Sequence, residues 1–520
     1  MNLKPIVQGV GAAILILLPR VWTLLSPRRA LVYHSFLPMQ SIVWGILIDV
    51  IFLTLLLGVL FAYLQKNETG LRAVIWAVIA AKLVTALVSD AADLGQRSLP
   101  DLSTEWLFYG TILASLALYW LRPLAYQRAV RGTRLLLLLV GCSILWMVPE
   151  LLYLALRAQP RDAQVPVTRA QLHSVRGIAP GEGGRIVWLL FDELSYDQAF
   201  DHRFPGLVMP AFDQLRSQSV SFSDLKPAGA NTEQVLLSFF LGHVVASVRS
   251  DLDGNPMVRL AGQNEWQTFN AHGTLFSDAQ RLGWTTGLVG WYNPYCRILA
   301  GTLDSCFWRM GDGTWNGTSP DNSALQNAMA PIMQRQRRLE HKTDFPQEEK
   351  HAADLAAIVP QAEALIRDQR IGFVFIHLPV PHPPGIYDRR PGHRRATGTY
   401  IDNLALADRT LGELMETLRA TALAPRTTVI VCSDHSWRVN MWEQTPQWSK
   451  EEETASLGRF DPRPVLLIHF PGQSVAHDVT GPFDDIGIHD IIERMLRGQA
   501  PDFDKSLLVT GARLPGASTP

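Results

Sequence analysis

The amino-acid sequence predicts two structural classes in one chain: an α-helical membrane domain, followed by an α/β domain with a mainly parallel central sheet. Long apolar segments are concentrated before residue 157. From residue 185 onward, short β-like apolar runs alternate with helical patterns, which is typical of a parallel sheet covered by helices. Two of these runs end in acidic or histidine residues, as strands do when they carry a site at the carboxyl edge of a sheet.

Composition excludes some classes of function. The chain has 520 residues, enough for more than one domain, and its 47 lysines and arginines nearly balance 48 aspartates and glutamates. We therefore expect no nucleic-acid partner. Four cysteines are too few for a disulfide framework. Cys296 and Cys306 lie close together and could pair if that region is extracytoplasmic, so the sequence leaves this disulfide open.

Five apolar segments each have about 20 residues, the length that a bilayer-spanning helix requires. They are apolar on all faces rather than amphipathic. No small-residue cleavage site follows the first segment, so we interpret it as a retained helix rather than a signal peptide. The five predicted spans are residues 5–25, 42–64, 71–89, 105–121 and 133–156.

Basic residues predict the orientation of these spans. The connection 121–134 carries four arginines, so we expect it in the cytoplasm, whereas the acidic connection 90–104 should lie outside. Five spans then place the amino terminus inside and the chain after about residue 157 outside. The predicted domains are a transmembrane domain at 1–156, a proline-containing juxtamembrane linker at 157–184 and a periplasmic α/β domain at 185–520.

The α/β domain is predicted from its alternating elements. The predicted strands are 186–191, 285–290, 372–378, 427–433 and 464–470. The predicted helices are 209–218, 233–241, 353–368, 402–420 and 485–497.

Polar side chains follow two of the predicted strands. The run Ile-Val-Trp-Leu-Leu-Phe ends at Asp192 and Glu193, and the run Thr-Val-Ile-Val-Cys-Ser ends at Asp434 and His435. Carboxylate oxygens and imidazole nitrogens are ligands that suit zinc or manganese. Taken alone, each group is also compatible with a solvated loop or a helix cap.

Thr232 follows the small residues Gly229 and Ala230, and it precedes an apolar helical pattern. A hydroxyl at a helix N-terminus lies in positive potential beside free backbone N–H groups. That position suits a nucleophile that attacks phosphorus. The alternative is a plain N-cap, because threonine is a preferred capping residue.

Two histidines follow another predicted strand in a proline-rich loop. His377 and His382 are five positions apart, and they could donate hydrogen bonds to phosphate oxygens or protonate a leaving group. A structural role for strand-end histidines is the alternative. The segment Tyr400–Asp408 then begins a helix whose charges, taken alone, indicate a solvated or capping face.

In this order, these residues resemble the alkaline phosphatase/sulfatase superfamily. With five preceding spans, the chain resembles the membrane-bound phosphoethanolamine transferases that act on lipid A, and the lipoteichoic acid synthases. The resemblance implies one divalent metal ion, zinc or manganese, and a threonine nucleophile. The implied metal-binding residues are Asp192 (or its neighbour Glu193), Thr232, Asp434 and His435. The implied catalytic residues are Thr232, His377 and His382, and the implied substrate-binding residues are His377, His382, Arg438 and Asn231.

The chain also departs from these relatives. It lacks the sulfatase signature Cys/Ser-x-Pro-x-Arg, so we do not expect sulfate-ester hydrolysis through formylglycine. Ser436 stands where the lipid A transferases have glycine, and no further histidine follows His435 before His469. A second metal site and the identity of the acceptor therefore stay open.

The resemblance implies transfer of phosphoethanolamine or phosphoglycerol from a membrane phospholipid to an extracytoplasmic glycan or glycolipid, through a phospho-threonine intermediate. The implied location is the bacterial inner membrane, with the catalytic domain on the periplasmic side. Two alternatives remain: a phosphodiesterase or phosphatase of the same superfamily, and a non-catalytic scaffold of the cell envelope.

Overall fold

The computed structural model describes residues 3–25, 33–35, 37–65, 69–94, 101–159, 184–309, 344–390, 392–445 and 447–501. They form two compact units. The first contains the described residues before 160, and the second contains those of 184–251, 255–309 and 345–501. The predicted linker 157–184 lies mostly outside the described residues, and the predicted domain boundaries stay predictions.

The first unit is helical. Its helices are α1 (Lys4–Leu25), α2 (Met39–Leu64), α3 (Gly70–Leu94), α4 (Asp101–Leu121), α5 (Pro123–Cys142) and α6 (Ile144–Arg157). Buried apolar residues of α1, α2 and α6 pack together around Leu17, Val43 and Leu151. Helices α1 and α5 approach closely where both have glycine, because a Cβ atom on Gly11 would lie 2.0 Å from the carbonyl oxygen of Leu137.

Three apolar elements in the described part of this unit are long enough to cross a membrane: Met39–Leu64, Gly70–Val88 and Pro123–Arg157. Two further apolar stretches, Lys4–Leu18 and Trp106–Leu121, are shorter. The structure therefore supports a helical N-terminal region with three candidate spans, whereas the sequence predicted five.

The arginine-rich connection differs from its predicted form. Residues 121–134 are not a loop, since α5 begins at Pro123, with Arg122 as its N-cap, and contains the other three arginines. The last predicted span, 133–156, consists of parts of α5 and α6, which meet at Ser143. A run of apolar residues does not reveal such a break, because both halves have the same composition.

The second unit is built on an eight-stranded sheet. Its central strands are parallel, with β12, β1, β9, β7 and β8 adjacent in that order. The strands of this unit are β1 (Arg185–Phe191), β2 (Val220–Phe222), β3 (Leu225–Lys226), β4 (Val245–Ser250), β5 (Pro256–Leu260), β6 (Gln267–Thr268), β7 (Thr286–Trp291), β8 (Ser305–Arg309), β9 (Phe373–Leu378), β10 (Gly385–Asp388), β11 (His393–Gly398), β12 (Thr427–Cys432), β13 (Leu466–His469), β14 (His477–Val479) and β15 (Phe483–Asp484). The α/β prediction with a mainly parallel sheet is confirmed.

Helices alternate with these strands. The α-helices of this unit are α7 (Pro210–Arg216), α8 (Thr232–Leu241), α9 (Leu275–Arg281), α10 (Tyr295–Ile298), α11 (Asp344–Arg367), α12 (Tyr400–Arg419), α13 (Val439–Trp442), α14 (Lys450–Ser456) and α15 (Gly487–Leu496). Each predicted strand and helix has a counterpart within a few residues, except that α11 begins nine residues before its predicted start at 353. Strand β13 is antiparallel to β12, which its apolar sequence did not reveal.

A buried arginine joins the first strand to the end of α11. The Arg185 guanidinium donates hydrogen bonds to the carbonyl oxygens of Ile366 (2.7 Å), Ile371 (3.0 Å), Leu365 (3.1 Å) and Asp368 (3.2 Å). The last carbonyl groups of a helix have no partner within that helix. Arg185 therefore supplies the missing donors at a place that water does not reach.

We expect Arg185→Met to lower the free energy of unfolding of this unit by about 3 kcal/mol, because it leaves buried carbonyl groups without donors. Thermal and denaturant unfolding of the full-length chain in detergent measure this change. The matched control Arg409→Met removes an exposed pair with Glu413 (2.8 Å) and should change stability by less than about 0.5 kcal/mol. Equal losses in both variants would contradict a special role for Arg185.

Candidate active site

Parallel register brings the two polar strand ends together. In β1 and β12, Leu190 pairs with Cys432, and Asp192 and Asp434 follow two residues beyond that pair. Both carboxylates therefore leave the sheet at the same edge, and both are fully buried. The sequence predicted one site from the polar residues at these two strand ends. The parallel register of β1 and β12 places those residues side by side.

Asp192, Asp434 and His435 form a compact group. Each contributes one ligand atom, and these atoms all lie within 4.8 Å of one another. His435 Nδ1 donates to the Ser436 carbonyl oxygen at 3.1 Å, so Nε2 is the ring nitrogen that faces the carboxylates. That Nε2 atom is 3.1 Å from Asp434 Oδ2 and 4.0 Å from Asp192 Oδ1. Three electron-pair donors thus face one another.

This group fits a divalent cation. Among the described residues, no N–H or O–H group donates a well-formed hydrogen bond to Asp192 Oδ1 or Asp434 Oδ2, although both atoms are buried. Burial, together with the charges of Asp434 and Glu193, raises the pKa of Asp192 well above its ordinary value. A bound cation would reverse that effect by neutralising the carboxylates. Backbone fixation of the second imidazole nitrogen is also the usual arrangement of a metal-binding histidine.

Thr232 lies beside this group. It is the first residue of the ten-residue helix α8, and Asn231 occupies the N-cap position. The Thr232 hydroxyl is 3.3 Å from His435 Nε2, and the residue is 6% exposed. Because Thr232 is inside the helix and its hydroxyl faces His435, the plain N-cap alternative does not describe it. Its Oγ1 atom sits in the positive potential of a helix N-terminus.

Glu193 points away from the group that contains Asp192. Its backbone is left-handed (φ 63°), and its N–H group donates to Asp434 Oδ1 at 3.2 Å. The Glu193 carboxylate accepts hydrogen bonds from Arg438 Nε and from Trp442 Nε1, the latter at 2.8 Å. Of the two acidic neighbours that the sequence offered as metal ligands, the geometry favours Asp192.

His377 lies behind Asp192 and is fully buried. Its Nε2 atom donates to Asp192 Oδ2 at 3.2 Å, so Nδ1 accepts the Tyr295 hydroxyl proton at 2.6 Å. Burial lowers the pKa of His377 to about 4, which keeps the ring neutral. One ring nitrogen thus contacts Asp192 and the other contacts Tyr295, which leaves neither nitrogen of the buried ring for a substrate or a leaving group.

His382 lies on the other side of the site, between the rings of Trp291 (5.3 Å) and Trp442 (5.4 Å). Burial and the nearby Arg438 charge lower the pKa of His382 well below its ordinary value. The neutral ring donates from Nδ1 to the Pro383 carbonyl and accepts at Nε2 from Arg438 Nη2 (3.3 Å). It therefore acts as an acceptor beside Arg438, rather than as a proton donor.

The Tyr400–Asp408 segment supports the site without entering it. Tyr400 donates to the Glu193 carbonyl (2.7 Å), and Asn403 donates to the His382 carbonyl (3.0 Å). Asp408 accepts a hydrogen bond from the backbone N–H of Phe212 (2.9 Å), which is a capping role. These residues hold the turn after β1 and the histidine loop in place.

Three further observations concern residues outside the metal-binding group. Asn231 is exposed and donates to Gln234 Oε1 at 3.4 Å, so its role in substrate binding stays a prediction. Tyr295 was not predicted, because it is the first residue of α10 and not the residue that follows strand β7. Cys296 and Cys306 form a disulfide, which the sequence had left open.

A sulfatase family model matches residues 185–484, more than half of the chain. The chain belongs to the sulfatase family. Members of this family act on sulfate or phosphate esters, and the suspected superfamily is thereby confirmed. A comparison with curated proteins finds no match.

Three of the solved structures similar to this sulfatase-family chain have the following identity, coverage and TM-score. Ps i-CgsB with a neocarrahexaose is 14% identical (63% of this chain, 74% of that chain, TM-score 0.41). The phosphonate monoester hydrolase of Agrobacterium radiobacter is 14% identical (61% and 78%, TM-score 0.36). The lipoteichoic acid synthase LtaP from Listeria monocytogenes is 14% identical (60% and 72%, TM-score 0.36). At these TM-scores, the assignment rests on the family match.

We expect the purified full-length sulfatase-family chain to hold about one equivalent of zinc or manganese. Asp434→Ala should lose most of it, because the variant removes one of two carboxylates that converge on His435. His377→Ala should weaken metal affinity about 10–100-fold, since Asp192 loses its orienting partner. Elemental analysis and metal titration measure both effects. The exposed His202→Ala variant serves as control, and an unchanged metal content in Asp434→Ala would exclude Asp434 as a ligand.

Proposed function

We propose that this sulfatase-family protein is a membrane-bound transferase. It would move phosphoethanolamine or phosphoglycerol from a membrane phospholipid to an extracytoplasmic glycan or glycolipid, through a phospho-threonine intermediate on Thr232. The observation that carries this proposal is the position of the Thr232 hydroxyl, 3.3 Å from His435 Nε2 at the N-terminus of α8. A nucleophile placed in this way attacks a phosphorus atom and then holds the phosphoryl group.

The metal-binding residues in this proposal are Asp192, Asp434 and His435, with the Thr232 hydroxyl beside them. A divalent ion, zinc or manganese, would lower the pKa of that hydroxyl and stabilise negative charge on the phosphoryl oxygens. His377 would keep Asp192 in its orientation through the 3.2 Å hydrogen bond.

The reaction has two balanced steps. In the first, Thr232 Oγ1 forms a bond to phosphorus, and the bond from phosphorus to the diacylglycerol oxygen breaks. Diacylglycerol leaves with the proton that the Thr232 hydroxyl gives up. In the second step, the acceptor hydroxyl oxygen bonds to phosphorus, the bond to Thr232 breaks, and the acceptor's proton returns to Thr232. The transferred group thus passes between two alcohols without hydrolysis.

Arg438 is the positive group best placed for the phosphoryl oxygens. It is half-buried, and its charge acts on the Asp192 carboxyl. Charge-assisted hydrogen bonds from a guanidinium to phosphate oxygens are strong and directional. The neutral His382 ring, which accepts from Arg438, would complete this side of the substrate site.

The membrane part of the proposal extends the three candidate spans to the five that the sequence predicts. Five spans and the arginines of 121–134 would place the amino terminus in the cytoplasm and the catalytic unit on the periplasmic side of a bacterial inner membrane. The Cys296–Cys306 disulfide supports an oxidising compartment. Apolar helices in the same chain would bring the site to a lipid donor that stays in the bilayer.

We expect Thr232→Ala to abolish transfer and the covalent adduct, while metal binding and folding stay largely intact. Thr232→Ser should keep part of the activity, because the hydroxyl remains. Intact-mass analysis with a labelled phospholipid, with and without acceptor glycan, measures the adduct and its fate.

Release of the free phospho-alcohol at the same rate without acceptor would identify a hydrolase instead. An equal adduct on Thr232→Ala would show that another residue is the nucleophile, and full retention of in vivo function would indicate a scaffold.

Reporter fusions test the topology. Because the predicted fifth span ends at 156, a fusion after Gln159 should be active only as a periplasmic reporter, and a fusion near Arg128 should be active only as a cytoplasmic one. Cytoplasmic activity after Gln159 would contradict both the orientation and the lipid-donor part of the proposal.

A further inference from the structure

Glu193 is fully buried, and both of its carboxylate oxygens are engaged. Oε1 accepts the N–H of Arg438 Nε, and Trp442 Nε1 lies 2.8 Å from Oε2 and 3.2 Å from Oε1. A left-handed backbone is strained at a glutamate, and such strain persists only where the surroundings determine it. The turn is held by Tyr400, whose hydroxyl donates to the Glu193 carbonyl.

The side of the His435 ring distinguishes Glu193 from the metal-binding carboxylates. Asp192 and Asp434 approach Nε2, which does not contact a backbone carbonyl. Glu193 Oε1 instead lies 3.9 Å from Nδ1, the nitrogen whose proton goes to the Ser436 carbonyl. The group of potential ligands around Nε2 is therefore Asp192, Asp434 and His435, without Glu193.

Arg438 is fixed from two directions. Glu193 accepts from its Nε atom, and His382 accepts from Nη2 at 3.3 Å. A guanidinium has five N–H donors in one plane, so two fixed donors determine where the others point. His382 in turn lies between Trp291 and Trp442, which restricts its rotation.

From this geometry we infer that Glu193 is a positioning residue, which orients Arg438 toward the anionic group of the substrate and does not bind the metal. This inference rests on the proposed function for the identity of the substrate, a phosphate ester. The two adjacent acidic residues at the end of β1 thus have different roles. Asp192 serves the metal-binding group, and Glu193 serves the cation that meets the ester.

The test uses full-length protein in detergent, loaded with zinc or manganese, and inorganic phosphate as the probe. Glu193→Ala should weaken phosphate binding about tenfold or more, because Arg438 loses its fixed orientation. Glu193→Gln should stay within a few-fold of the wild type, since its amide oxygen still accepts from Arg438 Nε. Metal content should be unchanged in both variants. Calorimetric titration and elemental analysis measure the two quantities.

A double-mutant cycle decides whether Glu193 acts through Arg438. Glu193→Ala combined with Arg438→Ala should bind phosphate no more weakly than Arg438→Ala alone. The control Glu451→Gln, which removes the charge of a second glutamate–arginine pair at Arg389, should change neither phosphate nor metal binding. Thermal unfolding of each variant identifies any that has lost its fold. If Glu193→Ala is unfolded, the metal content of Glu193→Gln is compared with that of the wild type instead.

Three outcomes would overturn the inference. Loss of metal in Glu193→Gln would make Glu193 a ligand. Additive effects in the double variant would mean that Glu193 acts independently of Arg438. Tighter phosphate binding in Glu193→Ala would show that its negative charge, rather than its hold on Arg438, dominates. Phosphate binding requires no transfer, so a failed Thr232 experiment would leave this result unaffected.

Discussion

The structure of the α/β unit depends on one electrostatic constraint: two buried carboxylates, those of Asp192 and Asp434, face one imidazole nitrogen of His435. Asp192 and Asp434 are brought to this position by the parallel register of β1 and β12. Two carboxyl groups in such surroundings are stabilised either by a proton on one of them, which is why the pKa of Asp192 is raised, or by a compensating cation. The same constraint explains why each neighbouring side chain is fixed by hydrogen bonds, since small displacements of charges at these distances change their energies strongly.

Support for the site comes from elements that do not touch a substrate. Tyr400 holds the turn after β1, and its ring stacks on Trp437 at 4.3 Å. Ser433 accepts from the Leu194 N–H at 2.8 Å, which joins the turns after β1 and β12. Asn403 binds the carbonyl groups of the histidine loop. Reactive side chains are thus carried on short turns whose backbones are tied to a rigid sheet and a long helix.

The sequence predicted the sheet and the strand ends well, because buried parallel strands are continuous apolar runs that end abruptly. The run that leads to Asp192 and the run that leads to Asp434 are of this kind. It did not predict β2 and β14, since strands of three residues show no periodicity. It also could not separate Asp192 from Glu193, because the left-handed backbone that turns their side chains apart is a property of the folded turn. The role of His377 depends on Tyr295, which lies 82 positions away in the sequence.

The way in which His435 is held has a consequence for sequence variation. Its Nδ1 proton goes to the backbone carbonyl of Ser436 rather than to a side chain, and every residue type has that carbonyl. Among the described non-glycine residues, positive φ angles occur at Glu193, Tyr292 and Leu457, so position 436 does not require glycine. The Ser436 hydroxyl is buried and makes no hydrogen bond with the described residues. A different side chain at position 436 would therefore leave the backbone contact of His435 Nδ1 in place.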